Sequence, residues 1–169
     1  GNHSKNKLIP AIKKSKNILK AIVSKKSNIG KIYEGISIFS DLFTAVQSLE
    51  KDVIFIIATP PNTHFEILKV VLENEFNAMV EKPILLSLDH LEKIKDLSET
   101  NQVAFYECFM HRYGLIYKKF LNIYEINKKN IEKIEIVFCL PDLPDNTFRD
   151  LNAISSSVIY DIGCYPISL

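Results

Sequence analysis

Apolar runs rich in isoleucine and valine alternate along this chain with segments whose apolar positions recur at helical spacing. Residues Ile18 to Val23 read as a strand, and Ser37-Ile38-Phe39 as a short one. Ser40 fits the N-cap of a helix over Asp41 to Leu49, with Leu42, Phe43, Val46 and Leu49 on one stripe. Val53 to Ala58 is apolar at every position, which predicts a strand buried on both faces of a parallel sheet. A helix from His64 to Glu73 follows, with Phe65, Leu68, Val71 and Leu72 inward. Asn77 to Val80 predicts the next strand. Ser87 fits the cap of a helix over Leu88 to Ser98, with Leu91, Ile94 and Leu97 toward the core. Val103 to Tyr106 reads as a strand and Leu115 to Ile126 as a helix. Ile131 to Leu140 alternates like a longer strand, broken by Pro141 and Pro144. A helical stretch, Lys5 to Lys14, opens the chain.

Strand and helix in alternation, with short connections, predict right-handed βαβ units. The expected fold class is α/β, a doubly wound parallel sheet of Rossmann type, followed by the start of a second α/β domain with an open sheet. Ligands bind such sheets at the carboxyl ends of their strands. The polar residues of this chain collect there. Ser24 and Lys25 follow one strand, Thr59, Pro60, Asn62 and His64 another, and Glu81-Lys82-Pro83 a third.

Composition narrows the partners. Apolar residues make up 47% of 169 positions, charged residues 24%, and the formal net charge is +1, as in ordinary globular domains. The lysine pairs Lys13-Lys14, Lys25-Lys26, Lys118-Lys119 and Lys128-Lys129 are interleaved with acids and read as solvated faces. Nothing resembles a nucleic-acid footprint. The apolar run 53–58 is too short to cross a bilayer. Cys108, Cys139 and Cys164 are odd in number and lack CxxC spacing, so neither a disulfide framework nor a zinc knuckle is expected, and a reducing cytoplasm is. The histidines show no metal-ligand spacing, and no metal is assigned.

The chemistry is carried by two motifs, Val80-Glu81-Lys82-Pro83 and Asp161-Ile162-Gly163-Cys164-Tyr165-Pro166. Moving a hydride to or from a carbinol carbon requires a proton to be exchanged with its oxygen. Tyr165 is the candidate acid/base. A free phenol has a pKa of about 10, and a neighbouring ammonium lowers it. Lys82 is placed to supply that ammonium. Pro83 biases Lys82 toward extended backbone, which aims its side chain out of the strand end. Asp161 and Tyr165 share a face if their segment is helical, so Asp161 fits orientation of a substrate hydroxyl or a pair with Lys82. Glu81 fits a ribose contact, a role in orienting Lys82, or plain solvation. His64 fits a helix start facing the nicotinamide side, or a satisfied structural histidine. No acid follows the strand at Val23, where NAD-specific sheets bond the ribose 2′-hydroxyl. Ser24 with Lys25 and Lys26 suits a 2′-phosphate, which favours NADP over NAD.

Taken in order, Gly1-Asn2-His3, Tyr33-Glu34-Gly35, Ala58 to His64, Val80 to Pro83, Phe109-Met110-His111-Arg112 and Asp161 to Pro166 resemble the Gfo/Idh/MocA oxidoreductases. The resemblance runs over nearly the whole chain. It implies NAD or NADP as cofactor, a sugar-like, nucleotide-sugar or polyol substrate, and a homo-oligomer. It also places Gly1, Asn2 and His3 among the cofactor contacts and Arg149 against cofactor or substrate; Gly1 itself fits the last glycine of a GxGxxG phosphate-binding loop. Tyr165 stands where many members carry histidine, which points to the glucose–fructose oxidoreductase and dihydrodiol dehydrogenase side. Two departures stand out. Ser155-Ser156-Ser157 occupy positions where glycines are usual, and Tyr113-Gly114 follows Arg112 where proline is common.

The expected division is a dinucleotide-binding domain over 1–110, without its first strand, and the start of a substrate domain over 111–169. Both ends read as truncated. The alternative reading is a non-catalytic fragment that binds a nucleotide or mediates dimerisation.

Overall fold

The computed structural model of the protein describes residues 3–25, 33, 35–137, 139 and 159–168. Gly1, Asn2, Lys26, Arg149 and Ser155 to Ser157 lie outside them. A π-helical turn, Ser4–Leu8, runs into α1 (Ile9–Lys14), which carries Pro10 at its second position. Strand β1 (Ala21–Val23) pairs in parallel with β2 (Ser37–Phe39). Helix α2 (Leu42–Ser48) follows, then β3 (Ile54–Ile57), α3 (His64–Glu73), β4 (Asn77–Glu81), α4 (Leu88–Thr100), β5 (Phe105–Cys108) and α5 (Leu115–Asn127). A second π-helical turn, Ile159–Gly163, leads into α6 (Cys164–Ile167).

Strands β3, β4 and β5 form a parallel sheet in that order, with Ile57 opposite Val80 and Val80 opposite Glu107. The connections through α3 and α4 make consecutive βαβ units, as the alternation predicts. Phe55, Ile57, Ala78, Val80 and Phe105 share one sheet face and pack against Leu68, Val71, Leu72 and Ile94 of the two helices. Phe76, fully buried, closes the core edge-on to Phe55, with ring centroids 5.0 Å apart.

Both helices stop the same way. Glu75 (φ 57°) and Gln102 (φ 53°) adopt left-handed backbone, and the next amide returns into the helix, Phe76 N–H to Val71 O and Val103 N–H to Ser98 O. Each helix is thereby turned sharply into the following strand.

Several expectations are corrected. The strand at 53–58 is not buried on both faces: Ile54 is 55% exposed and Ile56 39%, because α3 and α4 cover only the other side of the sheet. The stripe on α2 excludes Phe43, which is 71% exposed; Ala45 and Val46 are the buried pair, one turn from Leu42 and Leu49. The N-cap of α2 is Asp41, not Ser40, since its carboxylate accepts the Thr44 amide at 2.8 Å. The strand expected over 18–23 is only Ala21–Val23 long, the length over which β2 offers partners. The strand expected at 103–106 lies at Phe105–Cys108, where β4 pairs with it. No strand forms at residues 131–137 or 139: the alternation is there, but no pairing partner is, among the described residues.

Candidate active site

Lys82 stands one residue past β4, at the carboxyl edge of the three-stranded sheet. The peptide joining it to Pro83 is cis. Its ammonium donates to both the Asp161 backbone carbonyl and, at 2.8 Å, to Asp161 Oδ1. Only 14% of the Lys82 side chain and 9% of the Asp161 side chain remain exposed, so water screens this ion pair weakly. The same nitrogen lies over the Tyr165 ring, 5.0 Å from its centroid, within cation–π range. The three side chains expected to carry the chemistry are therefore brought together.

The turn geometry explains how. Within Ile159–Gly163 the backbone is π-helical and then tightens into α6, which sets Asp161 and Tyr165 on the side that meets Lys82. Cys164 Sγ donates weakly to the Asp161 carbonyl at 3.7 Å. Burial raises the Cys164 thiol above its ordinary range, opposed by the charge of Lys82.

Tyr165 is braced from behind. The His111 ring meets it edge to face, with centroids 5.1 Å apart, and meets Phe109 and Tyr117 in the same way. His111 Nε2 lies 3.0 Å from the Ser168 hydroxyl, while buried Nδ1 has no hydrogen-bond partner among the described residues. Burial and the neighbouring Arg112 charge lower the His111 pKa, so the ring is held toward its neutral form.

The other expected contacts fall at the ends of strands. Ser24 and exposed Lys25 follow β1. Thr59 and Pro60 follow β3 and lead into a 3₁₀ turn, Pro61–Thr63, where Thr63 Oγ1 donates to Pro60 O at 2.7 Å and contacts Thr59 Oγ1 at 2.7 Å. Asn62 is exposed on that turn. His3 Nε2 lies 2.9 Å from Glu81 Oε1, which ties the start of the chain to the end of β4. His64 is fully buried at the start of α3, its Nδ1 2.9 Å from Pro83 O and its Nε2 2.9 Å from Thr59 O. The structure thus places it between two strand-end loops, with both nitrogens facing backbone.

Sequence reasoning missed Glu107. It lies on the core face of β5 beside Val80, and its Oε1 accepts the Ile84 amide at 2.8 Å. Burial raises its pKa; the Ile84 hydrogen bond and then the charges of His64 and Lys82 oppose that rise. The available signal was a lone acid two residues beyond Phe105, on the strand's inward parity.

Open cavities of about 300 Å³ lie along α5 and residues 131–136, and Pro166, next to Tyr165 in sequence, lines one of them. Among the described residues, no group of three or more His, Cys, Asp and Glu is arranged to hold a metal ion, and no helix is long and apolar enough to cross a membrane.

Residues 1–109 match the family model described as an oxidoreductase family with an NAD-binding Rossmann fold, GFO_IDH_MocA. Solved structures share the fold. The WlbA dehydrogenase from Thermus thermophilus, determined with NAD and α-ketoglutarate, is 20% identical with a TM-score of 0.61 over 73% of this chain and 42% of its own. An oxidoreductase from Bacillus cereus is 24% identical, TM-score 0.63, over 76% of this chain and 37% of its own. A probable oxidoreductase, yhhX, is 19% identical, TM-score 0.72, over 99% of this chain and 49% of its own. The chain thus spans less than half the length of these structures. Among curated proteins, none matches the sequence.

Proposed function

Because the chain belongs to the Gfo/Idh/MocA oxidoreductases, with their NAD-binding Rossmann fold, we propose that it serves hydride transfer between a nicotinamide cofactor and the carbinol carbon of a sugar, nucleotide sugar or polyol. The observation that carries this reading is the Lys82 ammonium over the Tyr165 ring, anchored by Asp161.

When bound, a nicotinamide supplies the acceptor or donor of the hydride. The chain's own residues handle the proton. In the oxidising direction Tyr165, as phenolate, takes the hydroxyl proton; in the reducing direction the phenol returns it. The Lys82 charge stabilises the phenolate in either direction. Asp161 fixes the ammonium, whose alternative positions are removed by two acceptors from one residue. The parallel strands suit the cofactor in the ordinary way, through their carboxyl ends. Ser24 and Lys25 after β1 offer a hydroxyl and a cation with no carboxylate, which supports NADP. Glu81, Thr59, Pro60, Asn62 and His3 would line the same edge. Residues from 111 onward are read as the start of the substrate domain, in keeping with the end of the family match at 109.

The alternative reading is a nucleotide-binding or dimerisation module without turnover. Turnover separates the two. With a sugar or polyol panel and NAD(P)H, Tyr165→Phe is expected to lower kcat by about a hundred- to ten-thousand-fold, and Lys82→Met comparably. Normal turnover by either variant contradicts the first reading.

A further inference from the structure

We propose that Glu107 is a positioning residue for Lys82, acting with His64 as a clamp on the peptide that joins Pro83 to Ile84. The inference rests on the reading of Lys82 as the proton-transfer partner. The carbonyl and the amide hydrogen of that one peptide are both taken, and by side chains from different elements. His64, from α3, holds the Pro83 oxygen at 2.9 Å; Glu107, from β5, accepts the Ile84 amide at 2.8 Å. His64 Nε2 also faces Thr59 O, at 2.9 Å, in the loop after β3; both facing atoms are carbonyl oxygens, so the Nδ1–H tautomer donates to Pro83 and only the doubly protonated ring donates to both. A peptide gripped at both ends cannot rotate about its flanking bonds without breaking one of the two contacts. Lys82 is joined to it through Pro83.

An apolar residue would fill the core face of β5 at lower cost than a half-buried carboxylate beside a fully buried imidazole. Phe105, two positions earlier, fills that face in this way. The acid at 107 instead meets the one amide that follows Pro83, at 2.8 Å, within reach of the charges of His64 and Lys82. The geometry therefore assigns Glu107 to the loop rather than to the core.

The test uses the whole chain and needs neither cofactor nor substrate. Lys82 is labelled with trace acetic anhydride and quantified by mass spectrometry against Lys69, whose side chain is 44% exposed. Glu107→Gln keeps an oxygen that accepts the Ile84 amide, so labelling at Lys82 should match the wild type. Glu107→Leu removes it, and labelling should rise about tenfold, the equivalent of one lost hydrogen bond to a charged group. If Glu107→Leu does not fold, Glu107→Asp, which withdraws the carboxylate by one methylene, should give an intermediate rise. Unchanged Lys82 labelling in a folded Leu or Asp variant overturns the proposal. So does an equal rise in the Gln variant. Turnover adds a second readout: kcat should fall in Glu107→Leu, recover in Glu107→Gln, and leave NADPH affinity unchanged. A labelling response without any turnover in the wild type would reject the catalytic reading and keep the clamp.

Discussion

Lys82 Nζ and Asp161 Oδ1 lie 2.8 Å apart, although 79 positions separate them in the chain. Both side chains are nearly excluded from water, so removing one leaves the other charge poorly solvated. Asp161→Ala should lower unfolding stability by on the order of 3 kcal/mol, read from urea denaturation. The comparison is Lys69 with Glu73, 3.8 Å apart with both side chains over 40% exposed. Breaking that pair should cost at most about 0.5 kcal/mol.

The thiols should differ in reactivity. Burial, reinforced by Glu81 and Glu107, pushes Cys108 from 9.0 up to about 11, and burial raises Cys164 as well. Cys139 is exposed. A raised pKa means less thiolate at a given pH, and the thiolate is the nucleophile. At pH 8 iodoacetamide should modify exposed Cys139 first, with Cys108 slowed roughly a hundredfold relative to its own thiol at the ordinary value of 9.0. Peptide mass spectrometry over time gives the order. Equal rates at Cys108 and Cys139 would contradict the burial.

His111 should confer an acid-sensitive share of stability. Its folded pKa is lowered, so the unfolded chain binds the proton more readily. The stability it contributes is complete above its ordinary value of 6.5, declines as pH falls below that, and is gone once the folded form is protonated. The drop in Tm between pH 7.5 and pH 5 should be smaller in His111→Gln than in the wild type.

Gln102 ends α4 in left-handed backbone at φ 53°. A side chain in that region costs roughly 1 kcal/mol relative to glycine. Gln102→Gly should therefore leave stability unchanged or raise it by up to about 1 kcal/mol in a chemical melt.

Leu68, fully buried between sheet and helices, is the opposite test. Leu68→Ala should cost about 2–5 kcal/mol, depending on how far the cavity collapses.

Much of this arrangement was legible in the sequence, for physical reasons. The spacing of Leu68, Val71 and Leu72 is the period of a helix with one buried face, and that face is fully buried. Lys82 follows a strand directly, so its place at the sheet edge needs only the strand to be right. What was not legible depends on partners. The apolar run at 54–57 does not say that one sheet face stays bare among the described residues. The alternation after Ile131 does not say whether a neighbouring strand exists. Glu107 was hidden because its role is set by an amide 23 positions away, Ile84, reached only when β4 and β5 pair in register. Likewise the contacts of buried His64 with Thr59 and Pro83 arise where two loops meet, which local pattern does not encode. The expected roles of Gly1, Asn2 and Arg149 fall on residues outside those described.

The most direct measurement is titration of the protein with NADPH, and separately NADH, followed by cofactor fluorescence in the wild type and in Tyr165→Phe. A strand-end cofactor site with Tyr165 as proton partner predicts saturable binding in both proteins, tighter for NADPH, and turnover in the wild type alone. Absence of any saturable signal, or equal turnover by the two proteins, would contradict it.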